Sequence, residues 1–459
     1  MDGNGHRYGD GPTPCAPRPS VIRSIQRQIR SARALSRADV RLATAMRLVA
    51  ADSRRPLGFN DGVFYPVAEP VPGRARRGPY QRVARAARKT QALHALALLV
   101  DFSDQRGRRP RAELQRLLFD PKSPGSMTSY YRRLSKGALE VTGEVAGWIR
   151  APRPYRFYTN GESGTGEDYP KNTPGLLHDT LSEFCKSDGL ARFDADGDGY
   201  VDGLFLVHAG GGAEAEPDPS KRPHAIWSHK WVLPRPFANS GVRVYAYSTE
   251  PEDGRVGVFA HEFGHVLGLP DLYDTSYRTR GVGDWCLMAG GSWGGGGNRP
   301  VRMSAWCLAR LGWTRPRSVR AARSLVLSPL EDHKDDCYRL WTKGRGGPEY
   351  FLLENRRKAG QDAALPGSGL AVWHVDESQS GNTNPLSFMV GLVQADGQRD
   401  LERNRNSGDA GDLFPGSKRV KAWNDRTTPS SRAHDGSPTG VALAGIARQG
   451  SDVKLRVRV

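Results

Sequence analysis

The stretch FAHEFGHVLGLPDLYD, residues 259–274, most constrains what this chain can fold into. It is an apolar run of helical length that carries the pattern H-E-x-x-H-x-x-G-x-x-D. On a helix, His261 and His265 stand at positions i and i+4, so both imidazoles project from one face. Two imidazoles in that arrangement can share one Zn²⁺ ion. The stretch therefore predicts a helix with a zinc site on one face.

The carboxylate of Glu262 is predicted to act beside this zinc site. A bound zinc ion lowers the pKa of a water molecule toward about 7 and polarises a scissile carbonyl. A carboxylate on the adjoining face can take the proton of that water and later give it to a leaving amine. The alternative to a zinc site is a core helix with two buried histidines and a chance glutamate. That alternative does not explain why Gly268 and Asp271 follow at the fixed positions of the pattern. Glu262 is predicted to be the general base and then the acid.

A third zinc ligand is expected after the helix, because a catalytic zinc ion uses three protein ligands and keeps one position open. Gly268 can end the helix with a positive φ, and Pro270 cannot continue it, so the chain should turn back toward the metal. Asp271 is the first possible ligand after this turn and is preferred. Asp274 is close enough to replace it.

A second candidate metal site lies in the segment FDADGDGYVDG, residues 193–203. Gly199 stands where the loop must turn sharply, and Tyr200 offers its backbone carbonyl, as in an EF-hand loop up to its ninth position. Phe205 replaces the bidentate glutamate at the twelfth position, and a strand follows instead of a helix. The segment predicts either a Ca²⁺ clamp or an acidic turn without an ion. The candidate carboxylates are those of Asp194, Asp196, Asp198 and Asp202.

The formal net charge of +18 allows an acidic partner. Most basic residues are arginines scattered through sequence rich in Ala, Gly and Pro, however, and no recognised nucleic-acid-binding motif accompanies them. We therefore expect no nucleic-acid partner; such a partner would bind with a steep salt dependence. No run reaches the ~18 apolar residues of a membrane span. We expect a monomer without a membrane span.

The cysteines and the N-terminus limit the possible compartment. Five widely spaced cysteines form neither a disulfide framework nor a cysteine-based zinc knuckle, although one or two bridges are possible. The first residues, MDGNG, begin no apolar segment, so no signal peptide is expected and ordinary secretion is disfavoured. The cysteines are Cys15, Cys185, Cys286, Cys307 and Cys337.

Three parts of the chain differ in composition. Residues 1–90 are basic, with a helical run over residues 21–51; they form either a propeptide that covers an enzyme or an extended basic arm. Residues 91–318 alternate apolar runs of strand length with helical segments. Short strands predominate in residues 319–459. The predicted fold class is α+β, with a β-sandwich-like C-terminal domain.

The pattern H-E-x-x-H-x-x-G-x-x-D resembles the signature of the metzincin zinc peptidases, and HEFGHVLGLPDLYD is similar to the immune inhibitor A-type metallopeptidases. Further segments resemble the same family over about residues 92–450, among them LLVDFSD, DADGDGYVDGLFLVHAG, GVGDWCLMAGGSW, EYFLLENR and GLAVWHVDE. The resemblance implies a metzincin-like zinc peptidase of two subdomains with a cleft across the active-site helix, followed by a β domain. It also implies protein or peptide substrates and an extracellular location, whereas the expected lack of a signal peptide leaves a cytoplasmic location open.

The resemblance implies roles for further residues. Met288 would lie in a tight turn beneath the zinc ligands, although an ordinary core methionine would pack in nearly the same way. Tyr273 and Tyr277 are candidates for a zinc contact or oxyanion stabiliser, and equally for packing. Most metzincins have a histidine in place of Asp271. Some are kept latent by a cysteine thiolate on the zinc, a role open to Cys15 although the surrounding motif is absent.

A different class of function is a non-catalytic, metal-containing protein that binds a partner through its basic surface or β domain. The intact Glu262 disfavours this class, because a scaffold without chemistry needs no base beside the metal. The sequence thus predicts a zinc-dependent endopeptidase.

Overall fold

The computed structural model describes residues 13–31, 91–333 and 336–459. Most of the predicted leader, including its helical run beyond residue 31, lies outside these residues. The described helices are Pro19–Ser31 (α1), Arg111–Phe119 (α2), Met127–Leu134 (α3), Tyr155–Thr159 (α4), Thr173–Phe184 (α5), Val256–Val266 (α6) and Ala305–Arg310 (α7). Within the described ranges, no helix is both long and apolar enough to cross a membrane.

The strands follow in chain order. They are Thr13–Pro14 (β1), Gln91–Asp101 (β2), Leu139–Arg150 (β3), Leu204–His208 (β4), His229–Asn239 (β5), Val242–Pro251 (β6), Arg317–Val319 (β7), Arg323–Leu327 (β8), Tyr338–Trp341 (β9), Glu349–Arg356 (β10), Gly369–Asp376 (β11), Val390–Leu392 (β12), Ala422–Trp423 (β13), Ala442–Gln449 (β14) and Asp452–Arg458 (β15). The chain therefore has a mixed α and β structure.

The chain forms two compact units, the first of which contains a six-stranded sheet in the order β1-β5-β6-β4-β2-β3. Strands β6, β4, β2 and β3 are parallel neighbours, whereas β5 is antiparallel to both β6 and β1. The strands β2 (QALHALALLVD) and β4 (LFLVH) are apolar runs buried over most of their length. Such runs are typical of parallel strands covered on both faces, which explains why the sequence predicted both.

Strand β5 was not predicted, because its sequence HKWVLPRPFAN contains two prolines. A proline has no N–H to donate to the ladder and is found on edge strands or at irregularities. The structure accommodates Pro234 and Pro236 in this way: pairing with β6 stops at Val232 and resumes at Phe237. The sheet continues past the prolines with a shifted register.

The second unit contains two sheets, with the orders β12-β11-β10-β9-β7 and β13-β14-β15-β8. One cluster of buried side chains draws on both sheets, with Phe351 and Val372 from the first and Leu325 and Leu455 from the second. The prediction of a β-rich C-terminal region is confirmed. The sandwich and the domain boundary after residue 318 stay predictions.

Two elements are shorter than their patterns predicted. The pattern of residues 301–311 predicts a helix, but α7 begins only at Ala305, because the Ser304 hydroxyl accepts a hydrogen bond from the Cys307 amide and caps the helix there. The pattern of residues 388–394 predicts a strand, of which β12 covers only Val390–Leu392.

Candidate metal centre

Helix α6 carries the two predicted zinc ligands and the predicted base. His261, Glu262 and His265 are all fully buried on it. The helix packs against the six-stranded sheet, and Phe263 stacks on Phe205 of β4 with ring centroids 5.8 Å apart. Because apolar side chains fix the helix, the three polar side chains have little freedom of position.

Tyr131 of α3 holds the same helix from another direction. Its hydroxyl donates a hydrogen bond of 2.5 Å to the Ala260 carbonyl, and its ring packs edge-on against Phe263 at 5.1 Å. Tyr131 is fully buried. Since Ala260 precedes His261, this bond fixes the backbone at the first predicted ligand.

The imidazoles of His261 and His265 have the geometry of two ligands to one ion. Their Nε2 atoms lie 3.1 Å apart, and the ring planes are inclined at 84°. Nδ1 of His265 lies 2.8 Å from the Leu269 carbonyl, so an N–H there leaves Nε2 with its lone pair available. Two nitrogens on a tetrahedral zinc ion, each about 2.0–2.1 Å from the metal, are about 3.3 Å apart. The residues present therefore fit a zinc ion.

The chain turns immediately after α6, as predicted. Gly268 has a φ of 91°, in the left-handed region that favours glycine. Its amide donates to the His265 carbonyl at 2.9 Å, and the Leu269 amide donates to the Gly264 carbonyl at 3.1 Å. These bonds satisfy carbonyls at the helix end, and Pro270 follows.

Two aspartates, Asp271 and Asp274, follow this turn. The two histidines and Asp271 each offer a ligand atom, and these atoms lie within 4.8 Å of one another along this stretch of chain. The Asp274 carboxylate instead accepts hydrogen bonds from the amides of Ser276 (2.8 Å) and Thr279 (2.9 Å). These bonds hold the Asp274 carboxylate in its own turn, and Asp271 as the third zinc ligand stays a prediction.

Three further residues near the turn were singled out by the resemblance. Met288 is fully buried, and its carbonyl accepts a hydrogen bond of 2.7 Å from the amide of Leu272, the residue after Asp271. A place for its side chain beneath a zinc ion stays a prediction. Tyr273 and Tyr277 are buried and stack with centroids 6.3 Å apart, an arrangement typical of packing residues.

The predicted calcium loop brings three of its carboxylates together. Asp194, Asp196 and Asp202 offer oxygens that lie within 4.8 Å of one another. Asp202 is buried, and its Oδ2 accepts bonds from the amides of His94 (2.7 Å) and Ala195 (3.2 Å). Burial raises the pKa of Asp202 to about 6. A buried carboxylate beside two others is unfavourable unless a cation or proton compensates the charge.

The rest of this loop forms the predicted sharp turn. Gly197 and Gly199 have φ angles of 74° and 87°. Oδ1 of Asp198 accepts a hydrogen bond of 2.9 Å from the Tyr200 amide. The Tyr200 hydroxyl accepts one of 3.1 Å from Arg243 of β6. Asp198 thus shapes the loop.

A second polar cluster lies in the second unit and includes His374 and Asp376, two strand residues for which the sequence predicts a structural role rather than a second catalytic centre. His374 Nε2 lies 2.8 Å from Glu349 Oε1, and His434 Nδ1 lies 3.3 Å from Asp376 Oδ2. The two histidine rings are 4.1 Å apart and inclined at 33°. Burial lowers the pKa of His374, which favours its neutral form. The contacts resemble a hydrogen-bonded, stacked network, and no local sequence pattern connects His434 with the others.

The buried helix α6 carries two imidazole nitrogens at zinc-ligand separation with a carboxylate beside them, an arrangement typical of the metal site of metallopeptidases. Residues 83–310 match the family described as Immune inhibitor A peptidase M6, catalytic domain. This part of the chain is similar to the catalytic domain of the immune inhibitor A peptidases.

Curated relatives agree with this assignment. The chain is 36% identical over 207 residues to Immune inhibitor A of Bacillus thuringiensis subsp. alesti, a match that covers 38% of this chain and 30% of that protein. It is 32% identical over 265 residues to Pre-pro-metalloprotease PrtV of Vibrio cholerae serotype O1, covering 46% of this chain and 28% of that protein. The chain therefore matches less than a third of the length of these relatives.

Proposed function

We propose that this protein is a zinc-dependent endopeptidase that hydrolyses peptide bonds in proteins. The observation that carries the proposal is the pair of Nε2 atoms 3.1 Å apart on a fully buried helix, with Glu262 next to the first histidine. Burying three titratable side chains on one helix costs free energy, and a site that binds a metal ion beside a general base accounts for their presence there.

The roles follow from the chemistry of each side chain. His261 and His265 hold the ion through Nε2, and Asp271 holds it through a carboxylate oxygen. When bound, zinc supplies the Lewis acid that polarises the scissile carbonyl and makes water acidic. Glu262 accepts the proton of the attacking water and passes it to the nitrogen of the leaving amine.

The test is the variant Glu262→Gln, which keeps the size of the side chain and removes the base. Hydrolysis of casein should fall by at least about 10²-fold while the zinc content stays at the wild-type value. Glu113→Gln on the surface of α2 is the matched control and should keep full activity. The assay is run on the full chain and after limited proteolysis, because a leader could cover the site. Wild-type hydrolysis by Glu262→Gln would refute the assignment. Zinc binding by a wild-type protein inactive under both conditions would favour the non-catalytic class.

Calcium is proposed for the acidic loop, where it would hold the loop to strand β4 as a structural clamp. The support is the convergence of Asp194, Asp196 and Asp202 and the burial of the last of these. Calcium should raise the thermal stability of the wild-type protein, and EGTA should reverse the effect. No change in stability with calcium would count against the clamp.

The finer description of the fold is also a proposal. A metzincin-like catalytic domain is supported by the turn at Gly268 and the hydrogen bond between Leu272 and Met288. A β-sandwich is supported by the core that the two sheets of the second unit share. Monomeric behaviour stays a prediction that sedimentation can test.

A further inference from the structure

A second group of side chains that can bind a metal lies on the five-stranded sheet of the second unit. Strands β10 and β11 pair antiparallel, with Glu349 opposite Asp376 and Phe351 opposite His374. Because side chains alternate between the two faces of a strand, all four of these side chains stand on the same face of the sheet. The register of the two strands therefore places an imidazole beside two carboxylates.

A loop from farther along the chain brings a second imidazole to this face. The Asp425 carboxylate accepts a hydrogen bond of 3.0 Å from the Thr439 amide, which closes the loop of residues 425–439. Within this loop, the His434 amide donates to Glu349 Oε1 at 2.7 Å. The loop therefore reaches the sheet with its backbone held at His434.

The ring of His374 packs against two other rings. Its centroid lies 4.5 Å from that of Phe351 and 4.1 Å from that of His434. Phe351 is fully buried, and Trp423 packs edge-on against it at 4.9 Å. Since side chains in a close-packed core keep their positions, this packing leaves the His374 imidazole little freedom to rotate. A ligand that is already held in place loses little conformational entropy when an ion binds.

The distances within the cluster are those of ligands around one ion. Glu349, His374 and His434 each offer a ligand atom, and these atoms lie within 4.8 Å of one another. Glu349 Oε1 is 2.8 Å from His374 Nε2 and 3.8 Å from His434 Nδ1. Ligands of a tetrahedral zinc ion, each about 2.0–2.1 Å from the metal, lie about 3.3 Å apart. The two observed distances bracket this value, so small movements of the side chains would admit an ion.

The charges of the cluster also favour a cation. The side chains of Glu349 and Asp376 are only 22% and 7% exposed. In the part of the chain that the structure describes, no arginine or lysine forms an ion pair with either carboxylate. Two carboxylates that are largely withdrawn from water need a compensating charge. Because two imidazoles accompany them, the suitable ion is zinc or another transition metal rather than calcium, which prefers oxygen ligands.

We propose that Glu349, His374 and His434 bind one zinc ion beside the Asp376 carboxylate. The ion fastens the loop of residues 425–439 to strands β10 and β11, and each imidazole binds it through a nitrogen without a proton. A ligand set drawn from two strands and a loop distant in sequence is suited to a structural role. This site shares no residue with the proposed site on α6 and does not depend on peptidase activity.

The first test counts bound zinc in a full chain without the histidines of α6. The variant His261→Ala/His265→Ala is stripped with EDTA, reloaded with Zn²⁺, passed through a gel-filtration column and analysed for metal. It should retain one zinc ion per molecule, and adding His434→Gln or Glu349→Gln should remove that ion. The matched control is His333→Gln, at an exposed histidine of the same unit, which should leave the ion bound.

The second test measures whether zinc holds the loop closed. Arg426 and Arg432 are exposed in the loop and are sites for trypsin. Zinc at 100 times its Kd makes the open form of the loop about 100 times rarer, so cleavage at these arginines should slow by up to about 100-fold. The measurement is made on the same His261→Ala/His265→Ala chain. After the further change His434→Gln, zinc should have no effect on the cleavage rate.

Three results would overturn the proposal: no zinc in the His261→Ala/His265→Ala chain, zinc that survives both His434→Gln and Glu349→Gln, or cleavage equally fast with and without zinc. None of these results bears on the proposed site on α6. Failure of that site would appear instead as an equal zinc content in the wild-type protein and in His261→Ala/His265→Ala.

Discussion

Replacing Asp202 by asparagine is expected to stabilise the protein at neutral pH when calcium is absent. Burial of the Asp202 carboxylate, next to Asp196, raises its pKa to about 6, whereas an aspartate in an unfolded chain has a pKa of about 3.9. A difference of about 2 in pKa corresponds to about 3 kcal/mol in the free energy of unfolding. Asparagine does not ionise, so the variant avoids this cost.

The sign of the pH dependence follows from the raised pKa. Because the folded protein binds this proton more tightly than the unfolded chain, the favourable contribution is fully present below about pH 4. It is lost as the pH rises through about 6. The variant and the wild type should therefore have similar stabilities near pH 4, and the variant should be more stable by up to about 3 kcal/mol above pH 7.

The assay is urea denaturation in EGTA at both pH values, repeated with calcium. Calcium should stabilise the wild type at neutral pH and have a much smaller effect on Asp202→Asn. Asp218→Asn is the control: Ser220 bonds to this exposed carboxylate and lowers its pKa, so no stabilisation is expected. A variant less stable than the wild type at neutral pH in EGTA would show that the carboxylate is not under electrostatic strain.

Two other substitutions test the active-site turn and the second unit. Gly268→Ala should lower the free energy of unfolding, measured by urea denaturation, by about 1–2 kcal/mol and weaken zinc binding, because alanine is unfavourable at a φ of 91°. The control is Gly189→Ala, where an added Cβ meets nothing closer than 3.6 Å. Equal stability of the two variants would contradict the reasoning. Asp362→Ala should cost about 3–5 kcal/mol, because it leaves the buried Arg356 guanidinium without the carboxylate that binds both its Nε and Nη2 at 2.9 Å. The corresponding change at the more exposed Asp332 should cost under about 1 kcal/mol, and a similar loss for both would argue against a buried ion pair.

Local sequence patterns were sufficient to predict those helices and strands whose surroundings are uniform along their length. Strands β2 and β4 are buried on both faces, so their apolar runs are continuous and short. Helix α6 was predictable for a related reason: it is apolar apart from His261, Glu262 and His265, and the two histidines match its period. Gly268 and Pro270 end this helix through their own backbone conformations, so the end of the helix can also be predicted from the local sequence. The helix that carries the candidate site and the turn that ends it were therefore predictable.

Non-local pairing was not predictable in the same way. The thiol of Cys15 lies near His261 because β1 joins the edge of β5, and neither strand has a sequence pattern that identifies the other as its partner. The same holds for His434, which reaches His374 and Asp376 through the fold of the second unit. A sequence pattern reports spacing along one element, whereas these contacts depend on which elements become neighbours.

The two prolines of β5 limit how another strand could pair along the edge of β5 that β1 occupies. An uncovered strand edge presents unpaired N–H and C=O groups and invites association with other chains. Pro234 and Pro236 have no N–H, and they lie where the register of β5 is already broken. Only the short stretch around His229 and Lys230 would then offer a regular ladder. Strand β5 can thus accept a brief peptide partner while remaining a poor template for aggregation.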